Sequence, residues 1–175
     1  EQLLNYLNEI KEKHEKVIKT TLDTVEHLQK NIKNLGVKPI DISNLTPSEQ
    51  MKKLNKQMDQ INIKLILQDK NLNEIKDRII KGIKIRYQLV KGFPSKELRS
   101  LIDQGKKDLK KGIVVVYTIV DEKVGVAVGV TNDFTKKYNA VELVKLGSTI
   151  IGGTGGGGRN DFAQAGGNLP EKIEE

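Results

Sequence analysis

From Leu3 to Leu35 apolar side chains return every three or four positions, at Leu3, Leu7, Ile10, Val17, Val25, Leu28, Ile32 and Leu35, with His14 and Thr21 keeping the rhythm. That spacing places them on one stripe and predicts a long helix. The successive gaps of four at Val17, Thr21 and Val25 are a stutter that locally unwinds a supercoil. Gly36, just past the last apolar position, and Pro39 signal the stop. A second periodic stretch opens at Thr46-Pro47-Ser48-Glu49, the N-cap threonine, N1 proline and N3 glutamate of a capping box. It continues through Met51, Leu54, Met58, Ile61, Leu65, Gln68, Leu72, Ile75 and Ile79, a heptad seam with one polar member. Two helices of similar length, each about 50 Å, predict an antiparallel coiled-coil hairpin over residues 1–81. Ile63, Ile66 and Leu67 lie off the seam. They fit a second partner, either the globular half or another subunit, and equally the wide stripe of an ordinary core helix.

After Gly82 the period changes from helical to twofold. Ile83, Ile85, Tyr87 and Leu89 alternate with Lys84, Arg86 and Gln88, the pattern of a half-buried strand. Phe93-Pro94-Ser95 introduces a helix running to about Lys110, with Leu98, Leu101, Ile102 and Leu109 inward. Ile113 to Val120 is an almost unbroken β-branched run, as in a strand covered on both faces. Val124, Val126, Val128 and Val130 then alternate with Gly125, Ala127 and Gly129, so one face of the next strand is nearly bare and something packs closely on it. Asp121-Glu122-Lys123 lacks the glycine of a tight hairpin, which predicts a slightly longer turn. Ala140 to Ile151 reads as a helix ending at Gly152, and Asn168-Leu169-Pro170-Glu171 begins a last, short one. The expected fold is therefore α+β: a helical hairpin, then a small α/β globular domain with a mixed sheet over residues 82–175.

Composition agrees with an elongated helical part. Aromatic residues are 4%, tryptophan is absent and charged residues are 30%, too polar for one large core. The formal charge of +7 implies an anionic partner, with nucleic acid the natural candidate. Lys106, Lys107, Lys110 and Lys111 form the strongest basic patch, although on charge pattern alone a solvated lysine face near a helix C-terminus, where the dipole favours cations, is the better account. The absence of cysteine excludes disulfides and cysteine-ligated zinc. No apolar run approaches a membrane span, so no membrane partner is expected and a cytoplasmic protein is the default. His14 and His27 both fall in the first helix, and no nucleophile is paired with a base, so no catalytic residues are expected.

Half of the chain's 16 glycines fall between Gly152 and Gly167. Consecutive glycine amides at Gly155, Gly156, Gly157 and Gly158 are suited to an anion-binding concavity, and Arg159 adds a fork of donors that fits phosphate. Two nucleotide-binding patterns fail on context. Gly153, Gly155 and Gly158 satisfy a dinucleotide spacing but fail the context of a preceding strand, a following helix and a downstream acidic residue that the fingerprint requires; the Walker spacing has Arg159-Asn160 where lysine and a hydroxyl residue are needed. Arg159 has a second available role, buttressing the loop by pairing with Asp161.

Gly155 to Asp161 followed by Ala163 to Gly167 resembles the C-terminal signature of alanyl-tRNA synthetases, in their DHH-associated domain. Asn160 stands where proline is usual and Phe162 where methionine is usual. Related phosphoesterases carry histidine after the glycines, whereas Arg159 favours the synthetase branch. The Ser95-Lys96-Glu97-Leu98-Arg99 helix start, the valine hairpin and Thr131-Asn132-Asp133 extend the likeness over the last half of the chain. The resemblance implies a non-catalytic part of an ATP-dependent alanine–tRNA ligase that holds the outer corner of tRNA, with the helices supporting a homodimer. Contacts with tRNA are expected at Gly155 to Gly158 and Arg159, within the signature, and, from the basic charge, at Lys106, Lys107, Lys110 and Lys111. The resemblance implies no cofactor within this fragment, with ATP, magnesium and zinc expected in domains that precede it. The C-terminal domain of a free-standing alanyl-tRNA editing hydrolase and the substrate-binding domain of a DHH-type phosphoesterase are the alternatives, separable by upstream motifs.

Overall fold

The computed structural model describes residues 2–173, in two compact units, Glu1–Lys64 and Leu65–Glu175. In the first unit, helix α1 (Gln2–Asn34) ends where the sequence signals it. Gly36 takes φ +73°, and the Val37 amide reaches back to the Ile32 carbonyl at 3.2 Å. That is the six-to-one bond of a Schellman stop. Helix α2 (Pro47–Gln68) starts at the capping box, where the Glu49 carboxylate accepts from both the Thr46 amide (2.9 Å) and its hydroxyl (2.7 Å). Val25, Ile32, Ile42, Leu54 and Ile61 form the buried seam between the helices, flanked by Leu28, Met51 and Met58.

The expected equal hairpin is corrected at two points. Helix α2 stops at Gln68, and Leu72, Ile75 and Ile79, placed on its seam by heptad counting, are not helical. Asp69 instead turns the chain, its Oδ1 accepting from the Asn71 amide at 2.8 Å. Strand β1 (Asn73–Ile80) follows, hydrogen-bonded along its length to β2 (Ile83–Lys91) through the two-residue Lys81-Gly82 turn. Both turn residues have positive φ, +50° and +79°, which matches the twist of the strands they join. With 22 residues against 33, α2 is about 17 Å shorter than α1 at 1.5 Å per residue. The apolar row of α1 from Leu3 to Val17 is consequently exposed.

The second unit is a six-stranded sheet in the order β1-β2-β3-β4-β6-β5. A 3₁₀ turn (Ser95–Glu97) and helix α3 (Leu98–Leu109) connect β2 to β3 (Ile113–Val120), which pair in parallel. All other pairings are antiparallel, so the sheet is mixed and the fold is α+β, as the sequence implies. Strand β4 (Lys123–Val130) returns from β3 through Asp121-Glu122 alone, both at positive φ. The longer turn expected there is not formed: non-glycine residues occupy the left-handed region instead.

The bare face of β4 lies under α3. A Cβ added to Gly129 would overlap Ile102, and one added to Gly125 would lie 2.7 Å from the Ser95 hydroxyl. The bulky face, Val124 to Val130, packs under helix α4 (Ala140–Ile150) with Ala140, Val144 and Ile151. Strands β5 (Gly156–Arg159) and β6 (Phe162–Gly167) complete the sheet, and Pro170–Ile173 is a 3₁₀ turn. Among the described residues no helix is long and apolar enough to cross a membrane.

Candidate nucleic-acid interface

The glycine run leaves α4 and becomes the edge of the sheet. Ser148, fully buried, donates to Gly155 O at 3.0 Å and to Gly166 O at 3.3 Å, tying the start of β5 to the end of β6. Gly158 sits at φ +153°, with Phe162 O where a Cβ would stand. Only glycine fits that approach. The convergent amide nest expected at Gly155 to Gly158 is corrected: successive amides of an extended strand point to opposite sides, so they cannot converge on one anion. These glycines instead present an open backbone edge, and at Gly157 nothing lies within 4 Å of a would-be Cβ.

Arg159 closes that edge, and the Asn160-Asp161 turn beyond it is anchored from two elements. The Val130 amide donates to Asp161 O and the Ala140 amide to Asn160 O, both at 3.0 Å. The Asp161 carboxylate receives Arg159 Nε at 3.2 Å and Lys106 Nζ at 3.5 Å; Lys106 Nζ also reaches the Asp161 carbonyl at 3.3 Å. Partial burial would raise the Asp161 pKa, but the Lys106 charge and the Arg159 hydrogen bond outweigh it and hold the carboxyl below its ordinary value. Arg159 thus has the buttressing contact, yet its side chain is 64% exposed and it keeps donors free for another anion. Beside it Asn132, Thr135, Lys136, Asn160 and Asp161 line an open concavity of about 820 Å³. Arg99, on α3, stacks over Phe162 at 5.5 Å on the same side of the sheet.

The four lysines placed together by sequence divide here. Helix α3 ends at Leu109, and Lys110 adopts φ +63°, so Lys110 and Lys111 leave the helix. Lys106 is held by Asp161, and Lys111 pairs with Asp133 at 3.6 Å. Lys107 and Lys110 are exposed, with no ion pair among the described residues. The structure therefore brings Lys106 and Arg159, distant in sequence, together on the Asp161 carboxylate. Sequence reasoning missed Lys136, Arg99, Asn132 and Thr135, whose convergence depends on where β4 ends and α3 packs. Among the described residues no group of three or more His, Cys, Asp or Glu side chains could hold a metal ion.

Residues 82–175 match the DHHA1 domain model. The chain belongs to the DHHA1 domain family. It is 37% identical over 153 residues to an alanine–tRNA ligase of Hyphomonas neptunium, covering 87% of this chain and 17% of that protein. It is 51% identical over 94 residues to one from Parvibaculum lavamentivorans, covering 53% of this chain and 10% of that protein. The chain thus spans less than a fifth of the length of these curated relatives. Among solved structures, the C-Ala domain of Aquifex aeolicus alanyl-tRNA synthetase superposes with a TM-score of 0.53 at 30% identity, covering 57% of this chain and 88% of that domain. The DHHA1 member described here is similar to the C-terminal region of alanyl-tRNA synthetase.

Proposed function

We propose that this chain is the non-catalytic C-terminal part of an alanine–tRNA ligase and holds the outer corner of tRNA(Ala), so that aminoacylation and editing act on one bound tRNA. The observation that carries the reading is Arg159. It is exposed at the end of a glycine edge strand, oriented by Asp161, and faces a concavity shared with Lys136. An edge strand of glycines lets a ribose-phosphate backbone come close, and the cations supply sequence-independent, salt-sensitive affinity. Folded RNA is recognised largely by its shape and 2′-hydroxyls, which a rigid sheet edge with few side chains can follow. ATP, magnesium and zinc chemistry belong, in this reading, to other domains of the ligase, and cytoplasmic location follows from the role.

The helices support dimerisation in the same reading. Ile66 lies against the end of β2, its Cδ1 3.7 Å from the Cβ position of Gly92, so this off-seam residue has an intramolecular partner. The surface available to a second copy is instead the row Leu3, Leu7, Ile10 and Val17 of α1.

Titration with intact tRNA and with a minihelix lacking the outer corner, at two salt concentrations, tests the function. Tighter binding of intact tRNA, with no ATP hydrolysis or deacylation by the chain alone, is the expected result. Equal affinity for the two RNAs would leave only non-specific basic attraction.

A further inference from the structure

The sheet face that carries α4 is covered by that helix over β4, β6 and β5. Across β1 to β3 the same face holds a half-enclosed concavity of about 650 Å³. Tyr87, Leu89, Tyr117 and Ile173 line it, together with Glu74, Lys76 and Arg78 along β1. The pairing register sets Lys76 opposite Tyr87, Glu74 opposite Leu89, and Leu89 opposite Tyr117. Lys76 is neutralised by Glu74 at 2.7 Å. Arg78 is exposed and has no carboxylate partner among the described residues, so a planar cation stands unpaired beside an aromatic floor. Burial, and secondarily the neighbouring Tyr87, raise the Tyr117 pKa, which keeps its phenol a neutral hydrogen-bond donor.

We propose that this concavity takes one unstacked nucleotide of a single-stranded RNA, its base lying on Tyr87 and Tyr117 and its phosphate meeting Arg78. An aromatic floor accepts the π-face of any base, and a flanking cation tracks the backbone. The guanidinium offers a phosphate paired donors. The volume suits one nucleotide rather than a duplex. Arg159 belongs to the opposite face: it pairs with Phe162, which pairs with Gly129 under α3. The site is therefore separate from the outer-corner surface and does not rest on that reading.

The chain has four tyrosines and no tryptophan, so base stacking here is read directly as quenching of tyrosine fluorescence. The whole chain is titrated with a short oligoadenylate, with an abasic strand of equal charge, and with AMP. Oligoadenylate should quench and bind more tightly than either control. Arg78→Gln and Tyr87→Leu should each weaken it roughly tenfold, and Tyr87→Phe should retain it. Arg78 is exposed, so its variant keeps the test valid even where Tyr87→Leu fails to fold. Equal binding of the abasic strand, or of AMP, would overturn the assignment. So would an Arg78→Gln variant that binds oligoadenylate like the parent. Loss of intact-tRNA discrimination with oligoadenylate quenching preserved would count against the outer-corner function and leave this site standing.

Discussion

Lys106, on α3, and Asp161, in the β5–β6 turn, lie 55 positions apart and meet twice, once at the carboxylate (3.5 Å) and once at the carbonyl (3.3 Å). Arg159 shares the same carboxylate, so two of the cations proposed to meet RNA are restrained by one acid. Asp161→Asn keeps the turn and removes the charge. Because the ion pairs are solvent-accessible, folding stability should fall by less than about 1 kcal/mol. Affinity for tRNA should rise and its salt dependence steepen, since both cations become free to displace counterions. An unchanged salt slope in fluorescence titration would show that neither cation meets phosphate. Arg159→Ala should reduce that slope by roughly one unit.

Two glycines of the sheet separate packing from exposure. The Cβ of a Gly129→Ala variant lands on Ile102, while Gly157 has open space. Gly129→Ala should cost about 1 to 3 kcal/mol through overpacking against α3. Gly157→Ala should stay within about 0.5 kcal/mol. Urea midpoints decide it, and equal midpoints would mean that α3 is free to withdraw from the sheet.

Acid should destabilise the second unit through the β1–β2 pair. Arg86 grips Asp77 with Nε at 2.7 Å and reaches Asp108 at 3.1 Å. The Arg86 hydrogen bond is the chief cause that lowers the Asp77 pKa. A carboxylate whose folded pKa is depressed stabilises above its unfolded pKa and loses that contribution as pH falls through the folded value. Stability should be flat near neutrality and decline below about pH 4, the ordinary range for aspartate. Arg86→Gln should flatten the decline in urea unfolding followed from pH 6 to 3. An unaltered acid slope would remove Asp77 from the account.

Most of this architecture is legible in the residues. Gly36 and Thr46-Pro47-Ser48-Glu49 mark helix ends because capping is local chemistry, and the β4 alternation of valine with glycine and alanine announces close packing before α3 is known. Ile75 and Ile79 misled because a gap of four fits both a heptad seam and every second pair of strand positions. The deciding cues were the Asx turn at Asp69 and the Lys81-Gly82 turn. The site was half legible. Arg159 and Asp161 are two residues apart and share one motif, whereas Lys136 and Arg99 reach that place only through the sheet order and the crossover of α3, which no local pattern encodes.

The exposed row of α1 carries the last prediction. Leu7 is 53% exposed and Val17 63%, whereas Val25 and Ile32 on the same stripe are 5% and 0%. The difference follows from the shorter α2, 22 residues against 33. Leaving such a row in water forgoes about 25 cal/mol for each Å² that a partner would cover. A second α1 presenting the same row is a self-complementary partner. Sedimentation of the chain should therefore show a concentration-dependent dimer. Leu7→Glu combined with Val17→Glu should abolish it while leaving the urea midpoint of the monomer unchanged, because neither side chain contributes to the buried seam with α2. A dimer that survives both charges would place the contact elsewhere, and a parent chain that stays monomeric at high micromolar concentration would exclude α1 as a dimer face.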